Sequence, residues 1–234
     1  MPDWKLTTGG IMSLSRRLGL IEWAASRGIA IIEDDYDSEF RFEGRSLESL
    51  QNLDRHGVVL YIGTFSKVLF PAIRLGFVVA PRPLLAALSL AKRVTDGYSS
   101  LVNQAALARF IQQGHLGRHV RRMRRLYSDR RAMLLAGMRK TLSPWLVPIP
   151  SSAGLHVSAY TVPGLDDQRL RRLAERSDVG IQPLSYYYKN ANGRDGLVLG
   201  YGATGLEDIE EGLKRLGSIL KKIETSSKIQ VSQK

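Results

Sequence analysis

Lys67 closes the run Gly63-Thr64-Phe65-Ser66-Lys67, and Arg74 follows it. A primary amine condenses with an aldehyde, while hydroxyls and a guanidinium hold a phosphate, so this grouping suits a phosphorylated aldehyde held through Lys67. A Ser-Lys pair alone would carry no such meaning. Upstream stands a second group, Glu33-Asp34-Asp35-Tyr36-Asp37-Ser38-Glu39-Phe40, with five acidic side chains. By itself that run suits a ligand site, a solvated acidic loop or a Mg²⁺ cluster. With Lys67 downstream, the combination becomes specific.

The elements that must carry these groups are readable from pattern. Leu14, Leu18, Ile21 and Ala25 recur at helical spacing from Ser13, and Gly28 closes that helix. Ile29 to Glu33, Val58 to Gly63 and Leu75 to Ala80 are short apolar runs of the length and branching of buried strands. Both chemical groups therefore fall at strand ends, where ligands bind in open α/β sheets. Helix alternating with strands apolar on both faces predicts a sheet covered on two sides.

After Pro81-Arg82-Pro83, helices are expected over Leu84 to Val94 and Val102 to Leu142, the second interrupted near Gly114 and Gly117. Beyond Leu146 the style changes to short strands at Leu155 to Tyr160 and Gly196 to Tyr201, with helices at Asp166 to Ser177 and Leu206 to Ile223. That is the pattern of a smaller α+β domain. The polar end, Thr225 to Lys234, is expected to fray.

Composition sets outer limits. The chain has 234 residues, 44% hydrophobic and 24% charged, which supports a folded core and excludes wholesale disorder. With no cysteine, a disulfide scaffold, a thiolate metal site and a cysteine nucleophile are excluded, and a reducing cytoplasm is the expected setting. No apolar run is long enough to span a bilayer. The net charge of +12 is local, since Arg109 to Lys140 holds ten Lys or Arg against the single Asp129.

Three further patterns match known binding signatures only in part. Gly200-Tyr-Gly-Ala-Thr-Gly205 spells a dinucleotide fingerprint, but no second strand follows to complete a βαβ unit. His115 and His119 have a metal-binding spacing, yet Arg118, Arg121 and Arg122 crowd the same turn and would repel a cation. The arginines of that segment could grip nucleic-acid phosphates, but no base-reading motif accompanies them. A solvated helix with Val120, Met123, Leu126 and Tyr127 packed inward is the expected arrangement.

Together the acidic motif, Gly63-Thr-Phe-Ser-Lys-Val-Leu-Phe-Pro-Ala-Ile-Arg-Leu-Gly-Phe77 and Gly114-His-Leu-Gly-Arg-His-Val-Arg-Arg-Met-Arg-Arg-Leu-Tyr127 resemble the aminotransferase-like domain of MocR-type regulators in the GntR family. In those bacterial transcription factors a winged helix-turn-helix domain is fused to a fold-type-I, class I/II aminotransferase-like domain that binds pyridoxal 5′-phosphate (PLP). The resemblance runs from about Thr8 to Ile223. It makes Lys67 the Schiff-base lysine and places Asp34 at the pyridinium nitrogen, where a carboxylate keeps the ring an electron sink. It further gives Tyr36 to the cofactor's phenolate oxygen and Thr64, Ser66 and Arg74 to its phosphate. Asp35, Asp37 and Glu39 receive no cofactor role.

The resemblance also marks departures. The family's phosphate-binding turn and ring-stacking aromatic lie in an N-terminal half of the large domain, and neither is found among the 66 residues before Lys67. Thr7 stands where the family has proline in a Pro-Thr-Gly element, and Val198 stands where the late strand commonly has a substrate-carboxylate arginine. His156 and Tyr186 are further pocket candidates. The expected architecture is α/β: a partial fold-type-I large domain over 1–101, a connecting helical region over 102–142, a small α+β domain over 143–225, and a tail over 226–234. The expected function is a PLP-binding, aminotransferase-like fragment of a regulator that senses or transaminates an amino compound. Its expected state is a homodimer, with DNA reached only through a winged-helix domain that the chain lacks. The competing expectation is a catalytically dead interaction or basic surface module that no longer binds PLP.

Overall fold

A computed structural model describes residues 12–43, 48–188 and 193–231, with side chains as far as Thr225. The Thr7-Thr8-Gly9 element lies outside those residues. The chain divides into two compact units, one over residues 11–123 and one containing 124–234. The boundary falls inside the longest basic helix.

The first unit begins with α1, Leu14–Ala25, capped at its start by the Ser13 hydroxyl, which accepts from the Arg16 N–H at 3.4 Å. Gly28 adopts φ +64°, a left-handed conformation that suits glycine, and the Ile29 N–H returns to the Ala24 carbonyl at 3.0 Å. That closure consumes Ile29 and Ala30, so β1 spans Ile31–Asp35, two residues later than its apolar run predicts. The short α2, Leu50–Leu53, precedes β2, Val59–Thr64. A 3-10 turn, Pro71–Ile73, leads into β3, Gly76–Val79.

The three strands form a sheet in the order β1-β2-β3. β1 and β2 run parallel, with Asp35 opposite Gly63, and β3 joins β2 antiparallel, with Gly76 opposite Thr64. Val59 is buried, but Ile32 is 66% exposed and all four residues of β3 are exposed. The two-sided cover predicted from apolar faces is therefore only partly present. The unit continues with α3, Arg82–Asp96, and α4, Leu101–Gln112.

α5 runs from His115 to Gly137 and passes into a π-helical turn, Met138–Leu142. The break before it lies at Gly114, whose φ is +72°, whereas Gly117 remains helical. Val120, Met123 and Leu126 are half-buried and Tyr127 is buried, and the arginines from 121 to 125 are exposed.

The second unit holds an antiparallel sheet in the order β4-β5-β7-β6. Its strands are β4 Leu146–Pro148, β5 His156–Thr161, β6 Gln182–Pro183 and β7 Gly196–Gly200. The short β4 and β6 contain Pro148 and Pro183 and have no periodic sequence signal. Helix α6, Asp167–Glu175, buries Leu170 and Ala174. Helix α7 covers Leu206–Val231, so the segment expected to fray begins as helix. Its Leu213, Leu216 and Leu220 are buried with Leu142 and Leu146 in this unit's core.

Candidate functional site

Backbone register gathers the six residues singled out from sequence at one end of the first sheet. Asp34 is opposite Ile62 across the parallel β1–β2 pair, and Thr64 ends β2 on the same pleat face. Tyr36 leaves β1 one residue beyond the Asp35–Gly63 pair. Ser66 and Lys67 continue directly from β2. Arg74 precedes Leu75, whose carbonyl accepts the Phe65 N–H at 3.0 Å, so it returns beside the start of the same turn. Arg74 itself has φ +50°, a left-handed conformation outside glycine's usual preserve.

Hydrogen bonding divides the polar groups into two classes. Glu33 is committed to structure: its carboxylate accepts the Leu50 and Gln51 N–H groups at 2.8 and 3.0 Å and so caps α2. Asp35 accepts from the Tyr61 hydroxyl at 2.8 Å and from the Ser38 N–H at 3.2 Å. Burial, followed by that bond to a carboxylate, pushes the Tyr61 phenol well above its ordinary range. The Thr64 hydroxyl oxygen accepts the Ser66 N–H at 3.2 Å and keeps its own proton to donate.

Asp34, Lys67 and Arg74 form the other class. All three are exposed, and none has a hydrogen-bonding or ionic side-chain partner among the described residues. Of five acidic groups that look alike in sequence, the structure thus spends Glu33 and Asp35 on the fold and leaves Asp34 open. The donor set fits a phosphorylated pyridine aldehyde, with an open amine, an open carboxylate and hydroxyl and guanidinium donors at one strand end.

Sequence reasoning missed the contacts that tie this end down. The Tyr61–Asp35 bond spans 26 residues, and the His119 Nε2 lies 2.9 Å from the Val68 carbonyl, 51 residues away. The other histidine of that pair, His115, is 2.8 Å from an Arg118 guanidinium nitrogen and stacks on Phe110. The two imidazoles do not converge, and no group of three His, Asp or Glu able to hold a metal occurs among the described residues. An apolar cavity of about 450 Å³ opens between Leu69, Phe70 and Ile73 on the turn and Leu107 and Phe110 on α4. Asn103 is its one polar side chain, so it offers little chemistry.

The remaining candidates lie in the second unit. Val198 is 6% exposed and faces Ser158 and Gln182 across β7's neighbours. His156 stands opposite Gly200 on β5. Tyr186 accepts from Arg171 at 2.8 Å. Because β7 pairs antiparallel on both sides, Gly200 to Gly205 follows a strand of the wrong setting for a dinucleotide unit.

Residues 7–197 match the family described as aminotransferase class I and II. The chain belongs to that family. Among similar proteins is the probable rhizopine catabolism regulatory protein MocR of Rhizobium meliloti, 38% identical over 225 residues that span 96% of this chain and 46% of MocR. Another is the HTH-type transcriptional regulator YdeL of Bacillus subtilis, 36% identical over 218 residues, 92% of this chain and 46% of YdeL. The crystal structure of LysN, an alpha-aminoadipate aminotransferase of Thermus thermophilus complexed with N-(5′-phosphopyridoxyl)-L-leucine, superposes with a TM-score of 0.86. It is 30% identical, with 96% of this chain and 58% of LysN covered.

The resemblance to MocR-type regulators and the partial fold-type-I architecture are therefore borne out. The chain spans about half the length of the relatives it matches. Among the described residues no helix is long and apolar enough to cross a membrane.

Proposed function

We propose that this aminotransferase-family chain is a PLP-binding segment of a regulator's aminotransferase-like domain, with Lys67 as the covalent anchor. The observation that carries the reading is that Asp34, Lys67 and Arg74, at the carboxyl ends of the parallel strands, have no side-chain partner among the described residues, while Glu33 and Asp35 beside them are committed to the fold. Unpaired polar groups gathered at a strand end are what a polar ligand completes.

Lys67 would hold the aldehyde carbon through its amine, with release of water. Asp34 would accept a hydrogen bond from the pyridine nitrogen and favour its protonated form. Tyr36 would donate to the ring oxygen, and Thr64, Ser66 and Arg74 would bind the phosphate. When bound, PLP supplies an electron sink for carbanion chemistry at an amine's carbon. Because Asp34 is exposed, water screens its charge, and binding by this chain is weak. The ligand sensed is a small amino compound. Contact with DNA belongs to a helix-turn-helix domain like the one YdeL's name records, and the working site is the cytoplasm in a homodimer.

Absorbance tests the reading. PLP should produce a saturable band near the edge of the visible in the wild-type chain and none in Lys67→Ala. A band that persists unchanged in Lys67→Ala would refute the anchor, and a wild-type chain without one would leave the surface-module alternative. Asp34→Ala should keep the band but slow proton removal from an added amino acid.

A further inference from the structure

The motif from Gly114 to Tyr127 has no part in the cofactor set, yet one of its residues reaches the site. We infer that His119 is a positioning residue for Lys67, holding the turn that carries the anchor through the carbonyl of Val68. The inference rests on the reading of Lys67 above.

The turn after β2 is a single helical turn, closed by the Leu69 N–H on the Phe65 carbonyl at 2.8 Å. It cannot propagate. Phe70 is extended, with φ −160°, and Pro71, three residues beyond Val68, has no N–H to offer. Carbonyls at the end of a helical turn need outside donors, and Val68 is itself buried, where an unmet carbonyl is costly. His119, half-buried on α5, stands at that carbonyl at 2.9 Å. The carbonyl only accepts, so Nε2 carries the proton.

The upstream side of the turn is fixed by Ser66 N–H on the Thr64 hydroxyl and Phe65 N–H on the Leu75 carbonyl. His119 fixes its downstream side. Lys67 lies between the two restraints with an exposed side chain that has no partner among the described residues. The backbone alone sets where its amine starts, so a loose turn spreads the amine over more space and lowers its chance of meeting a bound aldehyde.

Two measurements on the full 234-residue chain test this. Without cofactor, His119→Ala should raise amide hydrogen exchange in the peptide covering residues 65–70 by roughly tenfold, the equivalent of one lost buried hydrogen bond. His119→Gln, which can still donate, should recover most of the protection, and His115→Ala should change nothing there. With PLP and borohydride, pyridoxyl label on Lys67 at subsaturating cofactor should fall by a similar factor in His119→Ala and recover in His119→Gln. Wild-type exchange and labelling in a folded His119→Ala would overturn the inference, as would equal losses in all three variants. If His119→Ala does not fold, His119→Gln decides, and failure of the folded Gln variant to protect the turn would overturn it. A wild-type chain that protects the turn but leaves Lys67 unlabelled would overturn the cofactor reading instead, and the positioning role with it.

Discussion

The two sheets of this chain treat their polar and apolar groups in opposite ways. In β7 the first four residues are all buried, and the carboxylate beside it, Asp167, is 1% exposed with three donors of its own: the Ser185 N–H, the Ser185 hydroxyl and the Gly196 N–H, at 2.9, 2.7 and 3.1 Å. In the first sheet β3 is exposed throughout, Ile32 faces solvent, and Asp34 has no partner among the described residues. One sheet is internally complete. The other keeps surface and charge in reserve, which is what a sheet edge needs if another molecule is to finish it.

That contrast can be broken most sharply at Asp167. Asp167→Ala leaves three donors unpaired in a buried site, so chemical denaturation should show a loss of about 3–5 kcal/mol. A loss below about 1 kcal/mol would mean that the second sheet is not held as described.

A smaller effect is expected at Asp54, which anchors the entry to β2 by accepting the N–H groups of His56, Gly57, Val58 and Val59 at 2.8, 3.1, 2.7 and 2.8 Å. Partial burial opposes the charge, but those four bonds outweigh it and hold the carboxyl below its usual range. The folded value lies below the unfolded one. Its contribution is therefore complete above the unfolded pKa of about 3.9 and disappears as pH falls through the lower, folded value. Since the group is partly solvated, Asp54→Asn should cost about 1 kcal/mol at neutral pH, and the difference from wild type should shrink in unfolding curves taken below about pH 3.5.

The smallest changes in stability belong to the groups held in reserve. Lys67→Ala and Ile32→Lys should each move unfolding by no more than about 0.5 kcal/mol, because neither side chain has a packed environment to lose. Ile32→Lys, with Val78→Lys beside it, should nevertheless reduce self-association in sedimentation, since both replace exposed apolar surface. Unchanged association would show that this apolar face is not what draws copies together.

Local signals were legible and long-range pairings were not. Ser13 and Gly28 delimited α1 because capping is written within a few residues. β1 shifted because Ile29 and Ala30, apolar like a strand, are used to close that helix. β4 and β6 escaped notice because two or three residues containing proline have no period to read. At the site, residue types picked out Lys67, its flanking hydroxyls and Arg74, while only the family resemblance singled out Asp34 and Tyr36, because nothing local separates Asp34 from Glu33 or Asp35. That separation comes from α2 and Tyr61, 17 and 26 residues downstream. The histidine at Val68 was invisible for the same reason.

The most direct test of the account is the distribution of cofactor over the chain's lysines. After borohydride reduction with PLP and peptide mapping, the pyridoxyl mass should concentrate on the peptide containing Lys67 and vanish there in Lys67→Ala. Label spread over surface lysines, with a total unchanged in Lys67→Ala, would contradict the claim that the open groups of the first sheet form a cofactor site.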